Sequence, residues 1–296
     1  VAVLVTPSSA LGELDIAPMV GYLETLGFRV RQAEHLWAQN GFLAGTDAGR
    51  AADLQAAFDD PDVDMVLCAR GGYGCARLLP LLDLDRLAAS PKVFAGFSDI
   101  TTLHLALNRR GLATLHAPMA GHVGKWEAAW VEDAYRRALV DGDLSLPEGA
   151  PRGQGVVPGR VEAVVTGGCL SLLGDSQGTP EAFDGRGKIV LLEDIGEQAY
   201  RVDARLTHLI NSGSLAGVAG IVVGEMTGTD EKPDDPSKRV PWREVIRERL
   251  GGLGVPLITD YPFGHITNPL TLPLGLSAVL DAEAGTLTYT ESLYAQ

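Results

Sequence analysis

Val93-Phe-Ala-Gly-Phe-Ser-Asp-Ile100 sets a short apolar run against a glycine and then a serine, and Ile100–Asn108 behind it carries a helical pattern. Strand, sharp turn, serine and helix is the local order of a nucleophile elbow, in which the turn lifts a hydroxyl off the end of a sheet. The same grammar extends towards the amino terminus. Ala2–Val5, Phe28–Gln32 and Met65–Ala69 read as short strands. Between them, Leu14, Met19, Leu23 and Leu26 recur at near-helical spacing. A helix capped by Asp47 runs through Leu54 to Phe58 until Asp59-Asp-Pro-Asp62 stops it, and Leu78–Leu82 forms a short helix. Strand–helix alternation of this kind predicts an α/β fold, with a parallel sheet covered by helices.

The pattern breaks at Asp141-Gly-Asp-Leu-Ser-Leu-Pro-Glu-Gly-Ala-Pro-Arg-Gly-Gln-Gly155, which is rich in Gly and Pro and has no periodicity. The chain is therefore divided into an amino-terminal domain at 1–140, a linker at 141–160 and a carboxyl-terminal domain at 161–296. In the second domain Val161–Val165, Ile189–Leu192, Ile221–Val223 and Leu257–Thr259 read as strands, and Val202–Ile210 and Trp242–Leu250 as helices. Ser277–Leu280 and Thr286–Thr290, joined through Ala284-Gly285, read as an antiparallel hairpin.

The 296 residues are 46% hydrophobic and 21% charged, the balance of a folded enzyme. A net charge of −14 argues against a phosphate-backbone partner, which needs clustered Lys and Arg. No apolar run approaches the ~18 residues that span a bilayer. Val1–Val5 is too short for the apolar core of a signal peptide. Cys68, Cys75 and Cys169 have no metal-ligand spacing and read as buried free thiols of a reducing compartment. A cytoplasmic protein without a metal or other cofactor is expected, with neither nucleic acid nor membrane as a partner.

Ser98 is the first candidate for chemistry. The helix behind it begins with N–H groups that have no partner within the helix, and the Asp99 N–H is the natural donor to a developing oxyanion. Ile100 stands where the usual elbow has a second glycine. A plainer account makes Ser98 or Asp99 a helix cap. Arg70-Gly-Gly-Tyr-Gly-Cys-Ala-Arg77 follows strand Met65–Ala69, and its three glycines let backbone approach a ligand closely. It matches neither a dinucleotide fingerprint nor a P-loop. A phosphate cradle, a second oxyanion-donating turn and an ordinary strand-to-helix turn all fit it.

A serine nucleophile needs a base and an orienting acid. Of the six histidines, His104 and His208 fall within helices, and His35 and His122 lack a supporting context. His116, in Thr114-Leu-His-Ala-Pro-Met119, ends a strand and could approach a site. His265, in Tyr261-Pro-Phe-Gly-His265, follows a strand on a glycine turn and is best placed. Glu193 ends strand Ile189–Asp194, where an open α/β sheet puts its site residues, with Asp194 and Glu197 as competitors.

Taken together, Arg70-Gly-Gly-Tyr-Gly74, Gly96-Phe-Ser-Asp99, Gly167-Gly168 with Gly178-Thr-Pro180, Leu192-Glu-Asp194 with Glu197 and Arg201, and Pro262-Phe-Gly-His265 occur in one order that resembles the LD-carboxypeptidases. That serine peptidase family also contains the microcin C immunity peptidases. The resemblance runs from Thr6-Pro-Ser-Ser9 to Leu272-Pro-Leu-Gly275. It departs at Cys169, where the family commonly has Asn, which puts in doubt any polar contact from that position.

The resemblance implies a Rossmann-like amino-terminal domain, a smaller β-rich carboxyl-terminal domain, a site between them and a homodimer. It implies Ser98 as nucleophile, His265 as general base, Glu193 as orienting acid, and Gly72 and Asp99 as backbone oxyanion donors. The implied substrate is a small murein tetrapeptide cut before its terminal D-alanine during cell-wall recycling. Arg70, His116 and Arg201 are candidates for binding such a peptide. Two alternatives stand beside it. One is hydrolysis of a microcin-like aminoacyl nucleotide, with Trp126 or Trp130 clamping the base, although packing explains those tryptophans as well. The other is a non-catalytic protein that binds nucleotides or murein peptides.

Overall fold

Ala2–Val5, Met65–Cys68 and Val93–Gly96 are each buried at all four positions. Strands with no polar face belong inside a parallel sheet covered on both sides. The computed structural model, which describes residues 1–230 and 240–294, bears this out. In chain order its strands are β1 (Ala2–Val5), β2 (Val30–Gln32), β3 (Met65–Cys68), β4 (Val93–Gly96), β5 (Thr114–His116), β6 (Gln154–Val157), β7 (Arg160–Cys169), β8 (Ile189–Ile195), β9 (Gly220–Thr227), β10 (Leu257–Thr259), β11 (Leu272–Leu274), β12 (Ser277–Asp281) and β13 (Thr286–Tyr289). Its helices are α1 (Ala17–Thr25), α2 (Asp47–Asp59), α3 (Leu84–Ala88), α4 (Thr101–Asn108), α5 (Ala129–Val140), α6 (Leu170–Asp175), α7 (Ala199–Asn211) and α8 (Trp242–Leu250). None is long and apolar enough to cross a membrane among the described residues.

The chain forms two units. The first comprises Val1–Asp143, Leu270–Gly275 and the chain from Leu293. Its sheet has the order β11-β5-β4-β3-β1-β2, with β1 to β5 mutually parallel and β11 antiparallel to β5 at the edge. Winding reverses between β1 and β3, and open sheets of this kind bind ligands beyond the carboxyl ends of their strands at that point. The loops that follow β1, β3 and β4 all leave from those ends. Leu54, Phe58, Phe94, Leu103 and Leu107 pack with Val3, Val5 and Val66 in the core.

The second unit comprises Leu144–Pro269 and Leu276–Ser292. Its sheet has the order β13-β12-β7-β8-β9-β10-β6. The central strands β7 to β10 are parallel and are connected through α6, α7 and α8. β6 and the β12–β13 hairpin are antiparallel additions at the two edges.

Local chemistry moves several boundaries. Thr46 rather than Asp47 caps α2, its hydroxyl accepting the Gly49 N–H at 3.0 Å. Asp47 is the first helical residue, and its carboxylate takes Arg77. α1 starts at Ala17, with Pro18 in its first turn, where the missing N–H costs nothing. The expected helix at Leu78–Leu82 is instead a pair of 3-10 turns, Cys75–Arg77 and Leu79–Leu81, and α3 starts only behind Asp83. Pro80 cannot donate the bond an α-helix would require there. β6 rises from the stretch read as linker. It is a half-exposed edge strand, so burial leaves no apolar alternation in its sequence.

Candidate active site

Ser98, in the first unit, sits at φ 66°; the only other non-glycine residue at positive φ, among the described residues, is Asp260 of the second unit. A left-handed backbone at a residue with a side chain costs of order 1–3 kcal/mol and persists only where the surroundings impose it. Here Phe97 is extended and Ser98–Ile100 form a 3-10 turn leading straight into α4, so the chain reverses within one residue of the strand. The missing second glycine is thus tolerated, because Ile100 already has helical angles. The turn is braced from behind. His104 on α4 is fully buried and donates from Nε2 to the Gly96 carbonyl at 2.9 Å. Burial drives its pKa down to about 3, so it stays neutral and structural.

The Arg70–Gly74 loop passes directly beside this turn. A Cβ on Gly71 would lie 3.2 Å from Ser98 Oγ and 2.9 Å from Ser98 Cβ. Gly72 has φ 112°, and a Cβ there would fall 2.3 Å from Ser9 Oγ. Gly72 is exposed, whereas Asp99 is 2% exposed. Arg70 is also exposed, and its Nη1 donates to the carbonyls of Ala10 and Leu11. His116 is buried on β5, with its ring 5.5 Å from that of Phe97.

In the second unit Glu193 is fully buried at the carboxyl end of β8. The register of β8 against β9 shifts between Leu192 and Asp194, which gives β9 an extra residue opposite Glu193. Such bulges re-aim a side chain at a sheet end. Glu193 Oε2 accepts from His265 Nδ1 at 2.7 Å and from the His265 N–H at 3.3 Å. The His265 carbonyl accepts the Thr227 hydroxyl at 2.7 Å, which ties the histidine turn to the end of β9. Burial disfavours the imidazolium, but the Glu193 hydrogen bond and charge, with Asp194 adding to them, outweigh it and raise the His265 pKa.

Of the two competing acids, Asp194 accepts the Ser171 and Ile195 N–H groups, both at 2.8 Å, and a contact from Cys169 Sγ at 3.4 Å. Burial raises its pKa against those N–H bonds, and the neighbouring Glu193 charge raises it further. Glu197, just before α7, is engaged by the exposed Arg201 of α7 at 3.6 Å. Cys169 lies opposite Glu193 in the β7–β8 pairing, and burial pushes its thiol pKa well up. Trp126 packs in an aromatic trio, 5.4 Å from both Tyr22 and Tyr135.

The structure thus brings Glu193 to His265 within one unit and the glycine loop to Ser98 within the other. The sequence reading passed over two groups. Ser8 and the side chain of Asp99 are buried and bonded to each other at 2.5 Å. Arg50 is buried and donates to the carbonyls of Pro7 and Gly74. Thr6-Pro-Ser-Ser9, polar residues directly after a buried strand, was the available signal for Ser8. Nothing in the spacing of α2 marks Arg50.

Residues 2–117 match the family model of the LD-carboxypeptidase N-terminal domain, and residues 162–280 match that of the LD-carboxypeptidase C-terminal domain. A Streptomyces coelicolor protein, provisionally named a carboxypeptidase, is 48% identical over 254 residues, 83% of this chain and 78% of its own. The murein tetrapeptide carboxypeptidase of Pseudomonas aeruginosa is 35% identical over 293 residues, 94% of this chain and 92% of its own. The crystal structure of muramoyltetrapeptide carboxypeptidase from Oxalobacter formigenes superposes with a TM-score of 0.84 at 28% identity, covering 97% of each chain.

Proposed function

The chain belongs to the LD-carboxypeptidase family, and from that premise we propose that it is a serine carboxypeptidase that removes the terminal D-alanine of murein tetrapeptides. Ser98, His265 and Glu193 are its nucleophile, base and orienting acid. The hydrogen bond between His265 Nδ1 and Glu193 carries the reading. It puts a proton on Nδ1, so Nε2 presents the basic lone pair. Ser98 Oγ attacks the scissile carbonyl carbon as its proton passes to Nε2. The N–H groups of Gly72 and Asp99 hold the oxyanion, and Glu193 stabilises the imidazolium. His265 returns the proton to the departing amine of D-alanine. Water, deprotonated by the same Nε2, then releases the acyl group from Ser98.

The strained φ of Ser98 supports the nucleophile role, because a plain helix cap adopts extended angles at no such cost. The substrate ends in a carboxylate. Arg70 and Arg201 are the exposed cations assigned to it here, and His116 remains the third candidate for the peptide. A cytoplasmic recycling role and a homodimer follow from the same family premise.

Mass spectrometry of a tetrapeptide digest, run beside an aminoacyl-adenylate analogue, tests this. Loss of one D-alanine by the wild type, and none by Ser98→Ala, is the expected result. Cleavage of the analogue alone would move the activity to the immunity branch. A Ser98→Ala variant with near-full activity would remove Ser98 from the mechanism.

A further inference from the structure

We propose that the side chain of Asp99 is a positioning residue that sets the two oxyanion donors, through a buried junction with Ser8 and Cys75. The inference rests on the proposed Ser98 chemistry. Oδ2 of Asp99 accepts the Ser8 hydroxyl at 2.5 Å and the Cys75 N–H at 2.8 Å. Ser8 Oγ also lies 3.1 Å from Cys75 Sγ. Ser8 and Cys75 are fully buried and Asp99 nearly so. The three residues come from the loops after β1, β3 and β4, so one carboxylate oxygen joins all three strand ends.

A buried carboxylate is costly unless its donors are held in place. Neither donor here is a flexible cation on the surface. One is a backbone N–H, and the other is a hydroxyl one residue from a second junction. Ser9 donates its N–H to the Gly71 carbonyl at 3.3 Å and accepts the Tyr73 N–H on Oγ at 3.1 Å. Ser9 therefore holds the peptide that carries the Gly72 N–H by its carbonyl and the following peptide by its N–H, and Ser9 is anchored through Ser8 to Asp99. The Asp99 backbone supplies one oxyanion donor and its side chain fixes the position of the other. Ångström-scale displacement of such donors costs rate, since they act only where the charge develops.

The test uses the full chain with Ser8→Ala, Asp99→Ala and Asp99→Asn. Both bonds end on a single oxygen, so the amide oxygen of Asn can accept both. kcat and KM on the tetrapeptide are measured together with calorimetric binding of a peptide boronate, a tetrahedral mimic whose stoichiometry counts competent sites. Ser8→Ala and Asp99→Ala should lower kcat per competent site about tenfold or more, with KM within about twofold, and Asp99→Asn should recover most of the loss. Boronate affinity should fall by the same factor as kcat/KM. A lower melting temperature or fewer competent sites, with kcat per site unchanged, would overturn the inference and leave a merely structural junction. Ser8→Ala keeps the backbone donor and the carboxylate, so it reports even where Asp99→Ala does not fold. Ser98→Ala is the control: if it cuts the tetrapeptide, or if the wild type does not, the underlying reading fails rather than the junction.

Discussion

Gly264 lies so close to Glu193 that a Cβ on it would sit 2.5 Å from Oε2 and 2.7 Å from Cγ. The carboxylate that holds His265 therefore owes its orientation to a missing methyl group in the adjoining turn. Gly264 also has φ 96°, a conformation that side chains rarely adopt. Gly264→Ala should push Glu193 off Nδ1. We expect kcat/KM to fall at least about tenfold, with a stability loss of about 1–3 kcal/mol from overpacking and backbone strain. Steady-state kinetics and thermal melts check both.

The raised pKa of His265 makes a pH prediction with a definite sign. The proposed base works only when neutral, so on that mechanism kcat/KM should rise through a pH above the ordinary histidine value of about 6.5. Stability runs the other way. The stabilisation from the charged pair is fully present below the unfolded pKa, and it is lost as pH rises through the higher folded value. Glu193→Gln removes the hydrogen-bonded charge and should move the acid limb of the rate profile to lower pH while lowering the plateau. A limb that stays in place would show that Glu193 does not set the base.

Much of this arrangement was legible in the sequence, for a physical reason. Buried parallel strands are short apolar runs, and their carboxyl ends mark candidates by position: Ser98 as nucleophile or cap, and Glu193 beside its competitors Asp194 and Glu197, with the choice among them coming only from the family resemblance. The pairing of Glu193 with His265 was not legible from spacing, because 72 residues separate them and the register shift opposite Glu193 leaves no periodic trace. β6 was missed because an exposed edge strand needs no apolar alternation. Asp99 was read for its backbone N–H or as a local helix cap. Its side-chain partners, Ser8 and Cys75, lie 91 and 24 residues away, and only the folded sheet brings them together.

Gly71 supplies a prediction that separates activity from folding. Its hypothetical Cβ meets Ser98 Cβ at 2.9 Å, Ser98 Oγ at 3.2 Å and Met119 Cε at 3.3 Å. The Met119 end can swing aside, but Ser98 is held on its turn. Gly71→Ala should therefore displace the proposed nucleophile and lower kcat by about tenfold or more, with little change in circular dichroism. Shortening the other neighbour, in Gly71→Ala/Met119→Ala, should leave the defect in place. Recovery in the double variant would trace it to Met119 instead.

In the proposed mechanism Ser98 links strain to function. At φ 66° any side chain conflicts with the backbone, and glycine does not. Ser98→Ala removes the hydroxyl but keeps a Cβ, and with it the strain. Ser98→Gly removes both. Each variant should be inactive, but Ser98→Gly should exceed Ser98→Ala in stability by about 1 kcal/mol, the left-handed penalty less the extra entropy of an unfolded glycine. In a chain of this size that is a difference of about 1.5–2 °C in melting temperature, within reach of calorimetry. Equal melting temperatures would mean that the turn imposes no strain at Ser98, and the hydroxyl would then be held there without energetic cost to the fold.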